Sequence, residues 1–122
     1  MSNVQVKFDN ENNPTCLTFT PKQLPINQSP NAQKITWNLA GKLNSGGKFV
    51  ANSLVFKDGR PSCMTAPVYS TDGKQVSLDD TDNNASGEWD YSLTVLWNGK
   101  TYSPSADDNP ENGTGSPSIR NK

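Results

Sequence analysis

GEWDYSLTVLWNGKTYS, residues 87–103, carries the most regular pattern in the chain. Trp89, Tyr91, Leu93, Val95 and Trp97 fall at every second position, with Asp90, Ser92 and Thr94 between them. A period of two sends alternate side chains to opposite faces of a sheet, so the pattern predicts a half-buried strand. Asn98-Gly99 follows, a dipeptide suited to the two positive-φ positions of a type I′ hairpin turn, which sets Val95 opposite Tyr102 and Trp97 opposite Lys100. One face then holds Trp89, Tyr91, Leu93, Val95 and Tyr102, and these are expected in the core. Trp97 shares that face but lies beside the turn, where packing thins out, and Leu96 points the other way.

The same alternation recurs on either side. Val4, Val6 and Phe8 give a first strand, Leu17 and Phe19 a second that Pro21 closes. A loop with Pro25 and Pro30 leads to a third strand with Ile35, Trp37 and Leu39. After the flexible connection GKLNSGG, FVANSLVF supplies a fourth, bulged strand. PVYS and KQVSL flank Thr71-Asp72-Gly73, a turn with Gly placed for a left-handed conformation. No segment sustains helical periodicity. Seven or eight short strands with turn signals between them predict an all-β fold, an antiparallel β-sandwich over residues 1–104. Residues 105–122, PSADDNPENGTGSPSIRNK without its first Pro, hold a single large aliphatic residue, Ile119. Such a composition buries too little apolar surface to offset its ordering entropy, which predicts a tail, with a short edge segment near 117–119 as its one docking candidate.

With 122 residues the chain suits one domain. A hydrophobic content of 31% is low for a compact domain, consistent with a small core and a peripheral segment. The net charge of −1 and the scattered 11 basic residues argue against nucleic-acid binding, which calls for clustered Lys and Arg. No stretch approaches the roughly 20 apolar residues of a membrane-spanning helix. The start, MSNVQVKFDN, lacks the basic and apolar segments of a signal peptide, and the expectation is a soluble, cytoplasmic protein unless an export sequence has been removed. Two cysteines, Cys16 and Cys63, cannot form a closed zinc site without His partners and are expected as reduced, partly buried thiols.

The absence of His removes the Ser-His, Cys-His and His-metal arrangements together, and the carboxylates gather in turns, so no enzyme and no cofactor are expected. Asp80-Thr-Asp82-Asn-Asn84 matches the opening of a calcium loop, but Ala85 and Tyr91 stand where a complete EF-hand loop needs Gly and Glu. The remaining candidates are aromatic. Trp97 and Tyr69, each beside a turn, and Lys100, opposite Trp97, are the expected contact residues for a ligand or partner, since exposed rings flanked by Asn, Asp and Lys suit sugar stacking.

KITWNL, a DGK turn, GEWDYSLTV, NGKTYS and a C-terminal P-S-I-x-N occur in an order that resembles the DP-EP family, small bacterial immunoglobulin-like domains of uncharacterised function. Trp37 is similarly placed to the core Trp of immunoglobulin-like sandwiches, and Tyr91 resembles their tyrosine-corner residue, with Leu93 where a cysteine is expected. The resemblance implies an immunoglobulin-like sandwich and carries no catalytic residue. The functional expectation is a non-catalytic binding or interaction module for an unknown protein or carbohydrate. Two alternatives stand beside it, a small carbohydrate-binding domain and an assembly subunit that self-associates through its edge strands.

Overall fold

The structure is a computed structural model and describes residues 2–81, 86–105 and 115–122. Its strands are β1 (Ser2–Phe8), β2 (Leu17–Thr20), β3 (Gln23–Ile26), β4 (Gln33–Leu39), β5 (Lys48–Phe49), β6 (Val55–Phe56), β7 (Val68–Tyr69), β8 (Gln75–Asp80), β9 (Gly87–Ser92), β10 (Val95–Trp97), β11 (Lys100–Tyr102) and β12 (Ser118–Asn121). A short 3-10 turn, Gly41–Asn44, buries Leu43 between β4 and β5, and no α-helix occurs among the described residues.

Alternation decides the layers. In β1 the buried residues are Val4, Val6 and Phe8, and in β8 they are Val76, Leu78 and Asp80. One layer is the five-stranded sheet β2-β1-β4-β8-β7. The other is made of β3-β12-β9-β6 and β11-β10-β5, as the chain passes from β9 through Leu93-Thr94 into β10. The layers pack as an all-β sandwich. Tyr91 of β9 meets the rings of Trp37 on β4 and Phe19 on β2 edge-on, at 5.4 and 5.7 Å between centroids. Phe8 of β1 meets Trp97 and Tyr102 in the same manner at 5.2 and 4.8 Å. Such T-shaped contacts align the positive edge of one ring with the negative face of another.

Most pairings are antiparallel, and two are parallel, β1 with β4 and β3 with β12. The expected single strand from Trp89 to Trp97 divides into β9 and β10, which lie in different sheets, because a strand that changes sheets must break its ladder at the crossing. The expected bulged strand FVANSLVF likewise divides into β5 and β6, separated by a turn in which Asn52 takes a φ of 62°. β3 falls in what reads as a Pro-containing loop. Its Pro25 is exposed and lies on a sheet edge, where a missing N–H leaves no ladder bond unmade.

The largest departure from expectation is at the C-terminus. Ser118–Asn121 is no edge segment. It lies between β3 and β9, paired with both, and Tyr91 N–H donates to Pro117 C=O while Lys122 N–H donates to Ile26 C=O. Ile119 is fully buried against the core, and Ser118 and Asn121 are buried with it. Composition undervalues this segment because two of its three buried residues are polar.

Candidate functional site

The hairpin forms in the expected register, Val95 with Tyr102, Leu96 with Thr101 and Trp97 with Lys100. Asn98 and Gly99 take φ values of 52° and 77°, as a type I′ turn requires. Val95 and Tyr102 are buried. Trp97 is half-buried. Its indole meets the Phe8 ring nearly perpendicularly, and Nε1 donates a long hydrogen bond, 3.4 Å, to the Ser45 carbonyl oxygen. With Ser45, Gly46 and Asn98 the ring lines an open depression of about 380 Å3. Ser45 and Gly46 follow the 3-10 turn, which is held from two sides. Glu11 Oε1 accepts from the Lys42 N–H, and Lys74 Nζ donates to the carbonyls of Asn44 and Gly47. Gly41 makes the Glu11 contact feasible, since a Cβ there would overlap the carboxylate.

The other two expected contact residues make contacts within the fold. Lys100 does not reach the indole of Trp97. Its Nζ lies 5.6 Å from the ring centroid of Tyr102, on its own strand, and the side chain is exposed. Tyr69 is half-buried on the edge strand β7, and its hydroxyl accepts from Leu54 N–H at 3.0 Å, tying β7 to the segment that enters β6. No contact joins Tyr69 to Trp97 among the described residues.

Trp37 and Tyr91 are core. Trp37 is fully buried and donates from Nε1 to Tyr91 Oη at 2.8 Å. Burial raises the Tyr91 phenol far above its ordinary pKa, against the weaker opposing effect of that hydrogen bond. A tyrosine corner bonds its hydroxyl back to nearby backbone; here the hydroxyl meets a side chain across the sandwich. Trp89 is half-buried and packs on the core with its ring over Gly87.

Sequence reasoning missed a polar groove on the outer side of β3, β12 and β9. Lys22, Gln23, Lys57, Glu88, Asp90, Ser116 and Ser118 line it, and it encloses about 460 Å3. Glu88 accepts from Gln23 Nε2 at 2.6 Å and from Ser118 Oγ at 2.9 Å, bonds that hold its carboxyl below its ordinary pKa. The groove depends on β12, so nothing in the local sequence marks it. Ser45 and Gly46 were missed for a similar reason: their contact with Trp97 spans about half the chain.

Both cysteines are free and half-buried. Burial and the Asp9 carboxylate raise the Cys16 thiol pKa, while burial and Asp80 push that of Cys63 up to about 11. Asp80, the first residue of the calcium-like loop, is fully buried and accepts from Asn121 Nδ2 at 3.1 Å rather than facing solvent. Asp82, Asn84 and Ala85 of that loop lie outside the described residues. Among the described residues no three or more His, Cys, Asp and Glu side chains converge as metal ligands, and no helix is long and apolar enough to cross a membrane. The chain matches no protein-family model and no curated protein.

Proposed function

We propose that this chain is a non-catalytic binding module of immunoglobulin-like type, related to the DP-EP family, that contacts its ligand through the Trp97 end of the sandwich. The observation that carries this reading is the Trp97 depression. It combines a partly exposed indole with Asn98, Ser45 and Gly46, on a hairpin fixed by its neighbours. A partly exposed ring beside Asn and Ser residues suits a sugar ring, whose C–H face stacks while its hydroxyls hydrogen-bond. Carbohydrate is therefore the favoured ligand class. Lys100, which pairs with Trp97 across the hairpin, would supply an adjustable donor beside the ring, and Tyr69 is a further candidate contact on the edge strand β7. A glycan-binding screen on the full chain tests the reading: a glycan that binds wild type and fails with Trp97→Ala supports it, and equal binding by both variants removes Trp97 from the site.

A second reading, self-association, rests on the edge strands. Val55 on β6 and Val68 on β7 are 57% and 65% exposed, and both strands end their sheets. Exposed apolar edge strands invite pairing with another copy. A solution mass that rises with concentration, and stays monomeric in Val68→Lys, would favour this reading.

A further inference from the structure

The groove on the outer side of β3, β12 and β9 is built on one row of the sheet. Ser118 pairs with Gln23 on one side and with Asp90 on the other. The Lys57 N–H donates to the Asp90 carbonyl oxygen at 2.9 Å, which carries the register of β6 and β9 one residue further. Their neighbours in sequence, Leu24, Ile119, Tyr91 and Phe56, are buried in the core. Alternation therefore turns Gln23, Ser118, Asp90 and Lys57 outward together, in a row about 14 Å long at the usual strand spacing.

Half of this row is already engaged. Glu88, two residues from Asp90 on the same strand and face, accepts from Gln23 Nε2 at 2.6 Å and from Ser118 Oγ at 2.9 Å, and Ser118 is left 5% exposed. Those bonds hold the Glu88 carboxyl below its ordinary pKa, so the groove contains a fixed anion. The other half is open. Among the described residues neither the Lys57 ammonium nor the Asp90 carboxylate makes a hydrogen bond or an ion pair, although the two residues stand opposite each other on adjacent strands. Lys22, which has contacts of its own, brings a second ammonium to the lining.

The lining thus carries two cations and two anions, with no aromatic or aliphatic side chain. That balance selects the ligand. A lone cation meets two ammonium groups, a lone anion meets two carboxylates, and a sugar finds no ring on which its C–H face can stack. A molecule that holds an ammonium and a carboxylate a few ångströms apart satisfies both signs at once through charge-assisted hydrogen bonds. The volume, about 460 Å3, is that of a small-molecule site.

We propose that this groove binds a free amino acid or a short peptide as a zwitterion, its ammonium held between Asp90 and Glu88 and its carboxylate by Lys57. The groove shares no lining residue with the Trp97 depression and works independently of it.

The test is calorimetric titration of the full chain with the proteinogenic amino acids and with tri-alanine, each binder then being followed by amide chemical shifts. The expected result is saturable binding with the largest shifts at Gln23, Asp90 and Ser118. Affinity is expected to fall at least tenfold when the ligand is N-acetylated or its carboxylate is amidated, and to weaken as salt is raised. Asp90→Asn and Lys57→Gln, both on the outer face, are each expected to lose about tenfold in affinity at an unchanged unfolding midpoint, while Trp97→Ala binds as wild type does. Tighter binding of a single amino acid than of tri-alanine assigns the groove to the free residue, and the reverse order assigns it to a peptide. Absence of saturable binding, equal binding of the capped ligands, a neutral hexose that binds the groove as tightly, loss of binding in Trp97→Ala, or full binding by Asp90→Asn and Lys57→Gln would overturn the proposal.

Discussion

Trp37 and Tyr91 form a buried polar contact between the two layers of the sandwich. The indole N–H and the phenol oxygen satisfy each other at 2.8 Å where no water reaches. Trp37→Ala removes the largest fully buried side chain together with that bond, and a loss of about 3–5 kcal/mol is expected from denaturant unfolding. Tyr91→Phe leaves the ring in place and strands the indole donor, so a smaller loss of about 1–3 kcal/mol is expected by the same measurement. The alternation Ile35-Trp37-Leu39 places Trp37 inside, but its partner lies 54 residues away and no local pattern names it. Asp9 is another residue whose role is tertiary. Partial burial pushes its carboxyl pKa up, and the Thr15 hydroxyl with the N–H groups of Thr15, Cys16 and Asn10 outweighs that, holding it at about 2. A folded-state value below the unfolded one gives stability that is complete above about pH 4 and lost as the pH falls towards 2. The stability gap between wild type and Asp9→Ala, measured across that range, should therefore shrink as acid is added; a constant gap would assign the loop's order to something other than the charge.

Among the elements, the hairpin was the most legible because its signals are local. Period-two alternation and Asn-Gly chemistry act within a few residues, and the register follows from them. Strand division is less legible, since β9 and β10 share one unbroken alternation and separate only where the second layer bends at Leu93-Thr94. β12 was the least legible. Its neighbours β3 and β9 are far away in sequence, and Ser118 and Asn121 are polar residues buried because Glu88 and Asp80 bond them. A chain ending at Ser105 would expose both flanking strands and the cavity left by Ile119. We expect it to lose the cooperative unfolding transition of the full chain, as measured by near-ultraviolet circular dichroism on denaturant titration. A retained sharp transition would mean that β3 and β9 close on each other without β12.

For the whole molecule, the sandwich sets what can act as a surface. Trp37 and Tyr91 are consumed by the core, and Trp89 and Trp97 are both partly buried against it, Trp97 beside the hairpin turn. That end was legible as a candidate from the position of Trp97 beside the turn, whereas the floor from Ser45 and Gly46 was not, because GKLNSGG looks like a flexible connection until Leu43 is seen buried. The binding role proposed for the hairpin end requires Trp97 to be a contact residue whose loss the core tolerates. The most direct measurement pairs ligand affinity with thermal unfolding for wild type and Trp97→Ala, using a glycan selected on the wild-type chain. The expected result is a loss of at least tenfold in affinity with under about 1.5 kcal/mol lost in stability, because a ring packed on the core from one side leaves only a partial cavity. Unchanged affinity, or a variant that no longer folds, would contradict it and return the hairpin face to the core.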